Sequence, residues 1–372
     1  MNHSYLSAAD LHHALTLRDL SDPAQGPHAI QALVDRMVAA LVGAWGCTTT
    51  TVRNPPVVAV RDNYDRLGFA GADVTRQARY TRYLSPTAML RSHTSADVPS
   101  TLERYAGIDR PVDELLVIPG LVYRRDLIDR THVGEPHQVD LWRVRSSPNT
   151  SNADLDEMVS LLVGAVVPDV RYRTVPTTHA YTLDGRQIDM WCGGEWLELA
   201  ECGRIKPRVL ADAGLDPRAW SGLALGMGLD RAVMLHKGVP DIRYLRASEP
   251  RIAVQMEDLS QWRPVSMLPP ITRDISVVLA DEVGDEAIGD IVRTTLRHRL
   301  DDVEAVEVRD RTTYDDLPDA ARRRLAIVPG QVNVLVRLTL RPIERTLTDL
   351  EANQIRNEVY LALHAGPKLE LA

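Results

Sequence analysis

Phenylalanine is almost missing from this chain: Phe69 is the single example in 372 residues. Lysine is nearly as scarce, confined to Lys206, Lys237 and Lys368, so arginine carries almost all of the positive charge. The three cysteines, Cys47, Cys192 and Cys202, are odd in number and show no C-x-x-C spacing. That excludes a disulfide framework and a zinc knuckle, and it fits a reducing compartment. No apolar run reaches the length of a membrane span, and the opening MNHSYLSAADLHHAL lacks a basic segment leading into an apolar one. The expectation is a cytoplasmic chain without signal peptide or membrane contact. Positive charge is not in excess: the net charge of -8 argues against a generally basic nucleic-acid surface and leaves only local patches. Two nucleotide fingerprints are also absent. There is no G-x-x-x-x-G-K-[ST] loop and no G-x-G-x-x-G, which excludes a P-loop and argues against a dinucleotide fold.

What is present is ordinary in bulk. Apolar residues make up 44% and charged residues 25%, as in a globular protein long enough for two or three domains. PHAIQALVDRMVAALVGA (27–44) places Ile30, Leu33, Val34, Met37, Val38 and Leu41 on one stripe, predicting an amphipathic helix with Pro27 in its first turn. A threonine-rich extended segment and the pair Pro55–Pro56 follow. Residues 115–126 and 137–144 read as two strands joined by a polar loop. Residues 154–165 read as a helix, and 170–174, 187–192 and 195–200 as strands. SGLALGMG runs as a strand straight into the helix LDRAVMLHKG, which Gly238 and Pro240 end. Near residue 260 the pattern resets to β-α-β-β-α-β, with KLELA as the last short strand. This is the order of a ferredoxin-like unit. Two domains are expected, 1–260 and 261–372.

Three stretches carry chemistry. If 121–126 is a strand, Val122, Arg124 and Asp126 share a face, as Gln138 and Asp140 do on the return strand. Arginine offers a phosphate a planar fork of donors, and an acid beside an amide suits an ammonium group. A surface hairpin of solvated charges is the alternative. In GMGLDR (226–231), glycines allow close backbone approach and a helix N-terminus favours an anion. Arg231 opposes the helix dipole there, which points to an anionic ligand; a plain tight turn is the alternative. In GEWLELAECG (194–203), Glu198 stands in an apolar strand, where a carboxylate beside phosphates holds Mg²⁺, or simply pairs with an arginine.

Together these stretches resemble the three signature motifs of class II aminoacyl-tRNA synthetases. The closer resemblance is to the phenylalanyl-tRNA synthetases, particularly their single-chain organellar form. LRSHTSA (90–96) is similar to their LRTHTSA, and GLVYRRDLIDRTH…HQVD to GxVYRxDxxDxTHxxxFHQxE. EWLELAECG resembles WLEILGCG, and SGLALGMGLDRAVMLHKGVPDIR resembles GFAFGLGxERLAMLxYGIPDIR. RPVSMLPPITRDISVVL and RTLTDLE resemble the family's ferredoxin-like anticodon-binding domain.

The resemblance implies an α+β fold: an antiparallel catalytic sheet flanked by helices, followed by that ferredoxin-like domain. It implies a magnesium-dependent ligase that joins an amino acid to ATP as an aminoacyl-adenylate and passes it to tRNA. Arg124 would take the α-phosphate, Arg231 the far end of the triphosphate, His132 the nucleotide and Glu198 the Mg²⁺. His93, Ser95, Gln138 and Asp140 would receive the amino acid's ammonium and carboxylate, over Ala224 and Gly226. Arg273, Arg345 and the triplet Arg322, Arg323 and Arg324 are the candidate tRNA contacts. A solvated loop is the alternative for the triplet. The resemblance leaves open a monomer or a homodimer.

The departures gather in the amino-acid pocket. TVPTTHAYT puts His179 and Tyr181 near the place of the family's FPF rings. Glu201 stands where the family keeps a glycine, Pro136 where it keeps a phenylalanine, and Asp140 where it keeps the longer glutamate. Leu223 and Leu225 replace two aromatics. A buried, unpaired carboxylate costs several kcal/mol. If Glu201 faces the pocket, a polar or cationic substrate side chain, His179 or Arg204 must neutralise it; alternatively it points outward. The expected substrate is therefore not plain phenylalanine. Two other functions stay open: an adenylating enzyme that feeds a small molecule or carrier protein, and a non-catalytic tRNA-binding paralogue.

Overall fold

The computed structural model describes residues 5–78, 80–125, 127–265, 269–342 and 345–367. These form two compact units. The first takes residues up to Arg124, Glu135–Val239 and Gln255–Trp262; the second takes Arg125–Gly134, Pro240–Val254 and the chain from Arg263 onward.

The first unit is built on a seven-stranded sheet. Its strands belong to a chain series of nine: β1 (Thr48–Thr51), β2 (Val57–Ala59), β3 (Ala88–Leu90), β4 (Asp113–Leu121), β5 (His137–Arg145), β6 (Tyr172–Pro176), β7 (Thr182–Cys192), β8 (Glu195–Ile205) and β9 (Ser221–Gly228). The large sheet runs β1-β4-β5-β9-β8-β7-β6, and β2 pairs with β3 separately. Only the β1–β4 pairing in the large sheet is parallel. Strand alternation gives each strand two faces. On one of them Leu116, Ile118, Trp142, Val144 and Ala224 pack with Val98, Leu102, Val209 and Leu210 from short helices. On the other, Leu115, Val117, Val139, Leu141, Leu223, Leu225 and Met227 are buried.

Helix Ala29–Trp45 buries Ile30, Leu33, Val34, Met37 and Leu41, the expected stripe. Its N-cap is His28, whose ring accepts from Ile30 N, so Pro27 stands before the helix rather than in its first turn. Helix Asn152–Val166 starts on a capping box between Ser151 and Asp154, which satisfies two otherwise orphaned N–H groups. Strands β7 and β8 are longer than their sequence pattern indicates, because each pairs along its length with the other.

The strand expected over 115–126 stops at Leu121. Beyond it Val122 N donates to Pro136 O, Tyr123 N to Arg91 O, and Arg124 bridges Thr81. The backbone has left β5 and found partners from the 81–91 segment instead. The strand pairing expected for Val122 and Arg124 is therefore not formed, and Asp126 lies outside the described residues.

The second unit contains β10 (Ile271–Ala280), β11 (Val303–Thr313) and β12 (Gln331–Leu340), antiparallel in the order β10-β12-β11. Burial along β12 alternates without a break, with Val332, Val334, Val336, Leu338 and Leu340 inward. Helices Asp285–Thr295 and Asp349–Leu363 supply Ile288, Val292, Ile355 and Val359 to the same core. On the outer face, Arg337 lies opposite Asp274 and pairs with it at 2.7 Å. The last strand expected from KLELA lies outside the described residues.

Candidate active site

The site grows from the face of the large sheet that carries Asp140. Directly paired residues on neighbouring antiparallel strands point to the same side. Asp140 of β5 faces Gly226 of β9, which faces Glu201 of β8, which faces Gln187 of β7. Two residues along, Trp142 faces Ala224, and Ala224 faces Gly203. In the other direction Gln138 faces Gly228, the residue before helix Leu229–Lys237.

At the Gly228 end the charges gather. Arg231, in the first turn of that helix, donates to Glu198 O at 3.2 Å. Glu198 has its carboxyl raised above the usual range, first by burial and then by Glu201; Arg231 and Arg124 both pull it back down. Two distant guanidinium groups therefore act on one carboxylate. Arg124 is oriented by donating from Nε to Ser92 O at 2.7 Å. Among the described residues no three His, Cys, Asp or Glu side chains cluster as a protein-only metal cage. Mg²⁺ does not need one: it binds through one or two carboxylates plus phosphates and water. Glu198, whose carboxyl the neighbouring Glu201 pushes up, is a donor that a cation would suit.

The other end is buried and aromatic. Asp140 is 2% exposed and accepts from Thr94 Oγ1 at 2.6 Å, Ser95 Oγ at 2.8 Å and Trp142 Nε1 at 2.9 Å. Burial raises its carboxyl, and those three hydrogen bonds oppose the rise. His93 is driven down to about 3 by burial and by the charge of Arg124, so its ring is neutral at pH 7. Phe69 stacks on His93 with centroids 5.6 Å apart. Tyr181 stacks on Trp142 at 5.6 Å and on His179 at 6.1 Å. His179 Nε2 lies 3.2 Å from Glu201 Oε1, though without the alignment of a hydrogen bond. Of the two protein groups expected to answer Glu201, it is His179 that does so; Arg204 is paired with Asp184 instead.

The segment carrying His93, Thr94 and Ser95 is anchored from below. Arg91 and Asp97 form a 2.7 Å ion pair, each about 95% buried, and Arg91 Nε also donates to Leu121 O. Gly120 of β4 is obligatory here, because a Cβ would overlap the Arg91 guanidinium.

The first unit thus brings together Arg124, Glu198 and Arg231, and with them His93, Ser95, Gln138, Asp140, His179, Tyr181, Glu201, Ala224 and Gly226. His132 belongs to the second unit, where its Nδ1 contacts Asp129 at 2.8 Å. Arg273 pairs with Asp349, and Arg345 with Glu351 and Asp302. Arg322, Arg323 and Arg324 sit on a short helix, Asp319–Leu325, rather than in a loop. Arg322 lies over Tyr314, while Arg323 and Arg324 are exposed. Sequence reasoning missed Phe69, Thr94 and Trp142 as parts of the site. Trp142 offered a signal, being two residues from Asp140 on a strand.

Residues 15–256 match the family described as tRNA synthetases class II core domain (F). The phenylalanine--tRNA ligase alpha subunit of Nostoc punctiforme is 30% identical over 241 residues, 65% of this chain and 70% of the relative. The chloroplastic/mitochondrial phenylalanine--tRNA ligase of Arabidopsis thaliana is 28% identical over 318 residues, 82% of this chain and 68% of the relative. The mitochondrial phenylalanine--tRNA ligase of Saccharomyces cerevisiae is 25% identical, covering 85% of this chain and 81% of the relative. No helix among the described residues is long and apolar enough to cross a membrane. With its antiparallel-rich catalytic sheet and flanking helices, the chain belongs to the class II tRNA synthetases.

Proposed function

We propose that this chain activates an amino acid with ATP and transfers it to tRNA, as the names of its relatives indicate for them. The observation that carries the reading is that Arg231 donates to Glu198 O at 3.2 Å, on the strand that also sets Glu201 opposite Gly226 and so in the row of Asp140. In the first step an amino-acid carboxylate oxygen attacks the α-phosphorus of ATP, and pyrophosphate leaves. In the second, a ribose hydroxyl of the tRNA 3′ end attacks the acyl carbon, and AMP leaves. No side-chain nucleophile is required. The contribution of the protein is positioning and charge neutralisation.

Arg124 neutralises the α-phosphate as negative charge builds there, and Arg231 holds the far end of the triphosphate. Glu198 would hold Mg²⁺, which would supply further neutralisation of the phosphates. Asp140 with Ser95 and Gln138 receives the α-ammonium, which directs the carboxylate toward Arg124. His132 is left out of this reading.

The second unit is read as the ferredoxin-like anticodon-binding domain, with its β10-β12-β11 order as the support. Arg323 and Arg324 are its best-placed phosphate contacts, since Arg273 and Arg345 already have acidic partners. The compartment is the cytoplasm or an organelle of the kind named for two of the relatives. Amino-acid-dependent exchange of pyrophosphate into ATP, followed by acylation of total tRNA, tests both steps. Exchange without acylation would move the acceptor to a small molecule or carrier protein; neither activity would leave a tRNA-binding paralogue.

A further inference from the structure

The depth of the amino-acid end is legible row by row, and its meaning for substrate choice rests on the proposed adenylation. The first row is Asp140, Gly226 and Glu201, and the second is Trp142, Ala224 and Gly203. A Cβ built on Gly226 would meet nothing nearer than Asp140 Oδ1 at 4.0 Å, so there is room over the first row. A Cβ on Gly203 would come within 2.6 Å of Thr182 Cβ, and Trp142 is fully buried under Tyr181. The second row is therefore covered. Two residues along a strand span about 6.6 Å, roughly the reach of a phenyl ring. Trp142 and Tyr181 take up the depth that a benzyl side chain would need.

The walls of the remaining space are polar. Glu201 presents a carboxylate that is 40% exposed. The buried His93 Nδ1 and His179 Nε2 have no aligned hydrogen-bond partner. An apolar side chain filling this space would strip water from Glu201, leaving it only His179, and would leave His93 Nδ1 unanswered, which is the costly arrangement for a desolvated polar group.

We propose that the site takes a compact amino acid whose side chain carries an N–H or O–H donor, with Glu201 receiving it beside the two imidazoles and Trp142 excluding larger side chains. Trp142 and Glu201 are then the specificity-determining residues.

The test is pyrophosphate exchange by the full chain over alanine, serine, threonine, 2,3-diaminopropionate, 2,4-diaminobutyrate, phenylalanine and tyrosine. A compact donor-bearing member is expected to exceed both alanine and phenylalanine in kcat/KM, by about 100-fold or more. Glu201→Gln is expected to reduce that preference over alanine at least tenfold. Trp142→Val is expected to raise phenylalanine relative to the compact substrate. Because Trp142 is buried, the wild-type panel and Glu201→Gln decide the matter if that variant does not fold. Phenylalanine as the best wild-type substrate would overturn this inference while leaving adenylation intact. No exchange with any amino acid would instead overturn the adenylation reading, and this inference with it.

Discussion

The two ends of this sheet face are built by different physics. At the Gly228 end, Arg124, Glu198 and Arg231 act through charge, across a space that is partly open to water. At the Ala224 end, Asp140 and Trp142 are buried, Tyr181 is half-buried, and His93 is held neutral. Charge placed in advance stabilises a developing transition state without reorganisation. Packing decides which side chain fits. The first end should therefore govern rate, and the second selectivity and stability.

The comparison breaks most visibly at the anchor of the buried end. Asp97→Ala leaves Arg91 charged and uncompensated inside the protein, and a loss of about 3–5 kcal/mol is expected in urea unfolding. The charged end responds in the opposite sense. Arg124→Ala or Arg231→Ala is expected to lower the rate of adenylate formation by about 10²–10³-fold in single-turnover assays while the melting temperature hardly moves.

Acid sharpens the contrast further. His93 is lowered from 6.5 to about 3. Between those values the unfolded chain binds a proton that the folded chain does not, so stability falls as pH drops through that window. His93→Gln is expected to flatten the slope of unfolding free energy against pH between about 6.5 and 3; an unchanged slope would remove His93 from the account. The smallest effect belongs to the second unit. Neutralising the exposed pair Arg323 and Arg324 is expected to weaken tRNA binding modestly and to flatten its salt dependence by about one to two counterions.

Local periodicity made much of the fold legible. The stripe of helix Ala29–Trp45, the strict alternation of β12 and the Thr348–Glu351 capping box depend on residues a few positions apart. The end of β4 was not legible, because Arg91 and Thr81 draw residues 123 and 124 away from β5. The same divide runs through the site. The charged residues stand in long motifs, whereas the aromatic end is assembled from single residues at 69, 93, 142, 179 and 181. His93 carries the signal of LRSHTSA, and His179 and Tyr181 that of TVPTTHAYT, but Phe69 and Trp142 look ordinary in their own stretches. Phe69, puzzling as the lone phenylalanine, acquires a place against His93 and Tyr181.

The central claim is that Arg124 and Arg231 serve one triphosphate beside Glu198. Amino-acid-dependent pyrophosphate exchange into ATP, measured for the wild type and for each arginine variant, tests it most directly. The expected result is Mg²⁺-dependent exchange in the wild type and a loss of about two to three orders of magnitude in both variants, each still folded. Exchange that survives either substitution undiminished would contradict it.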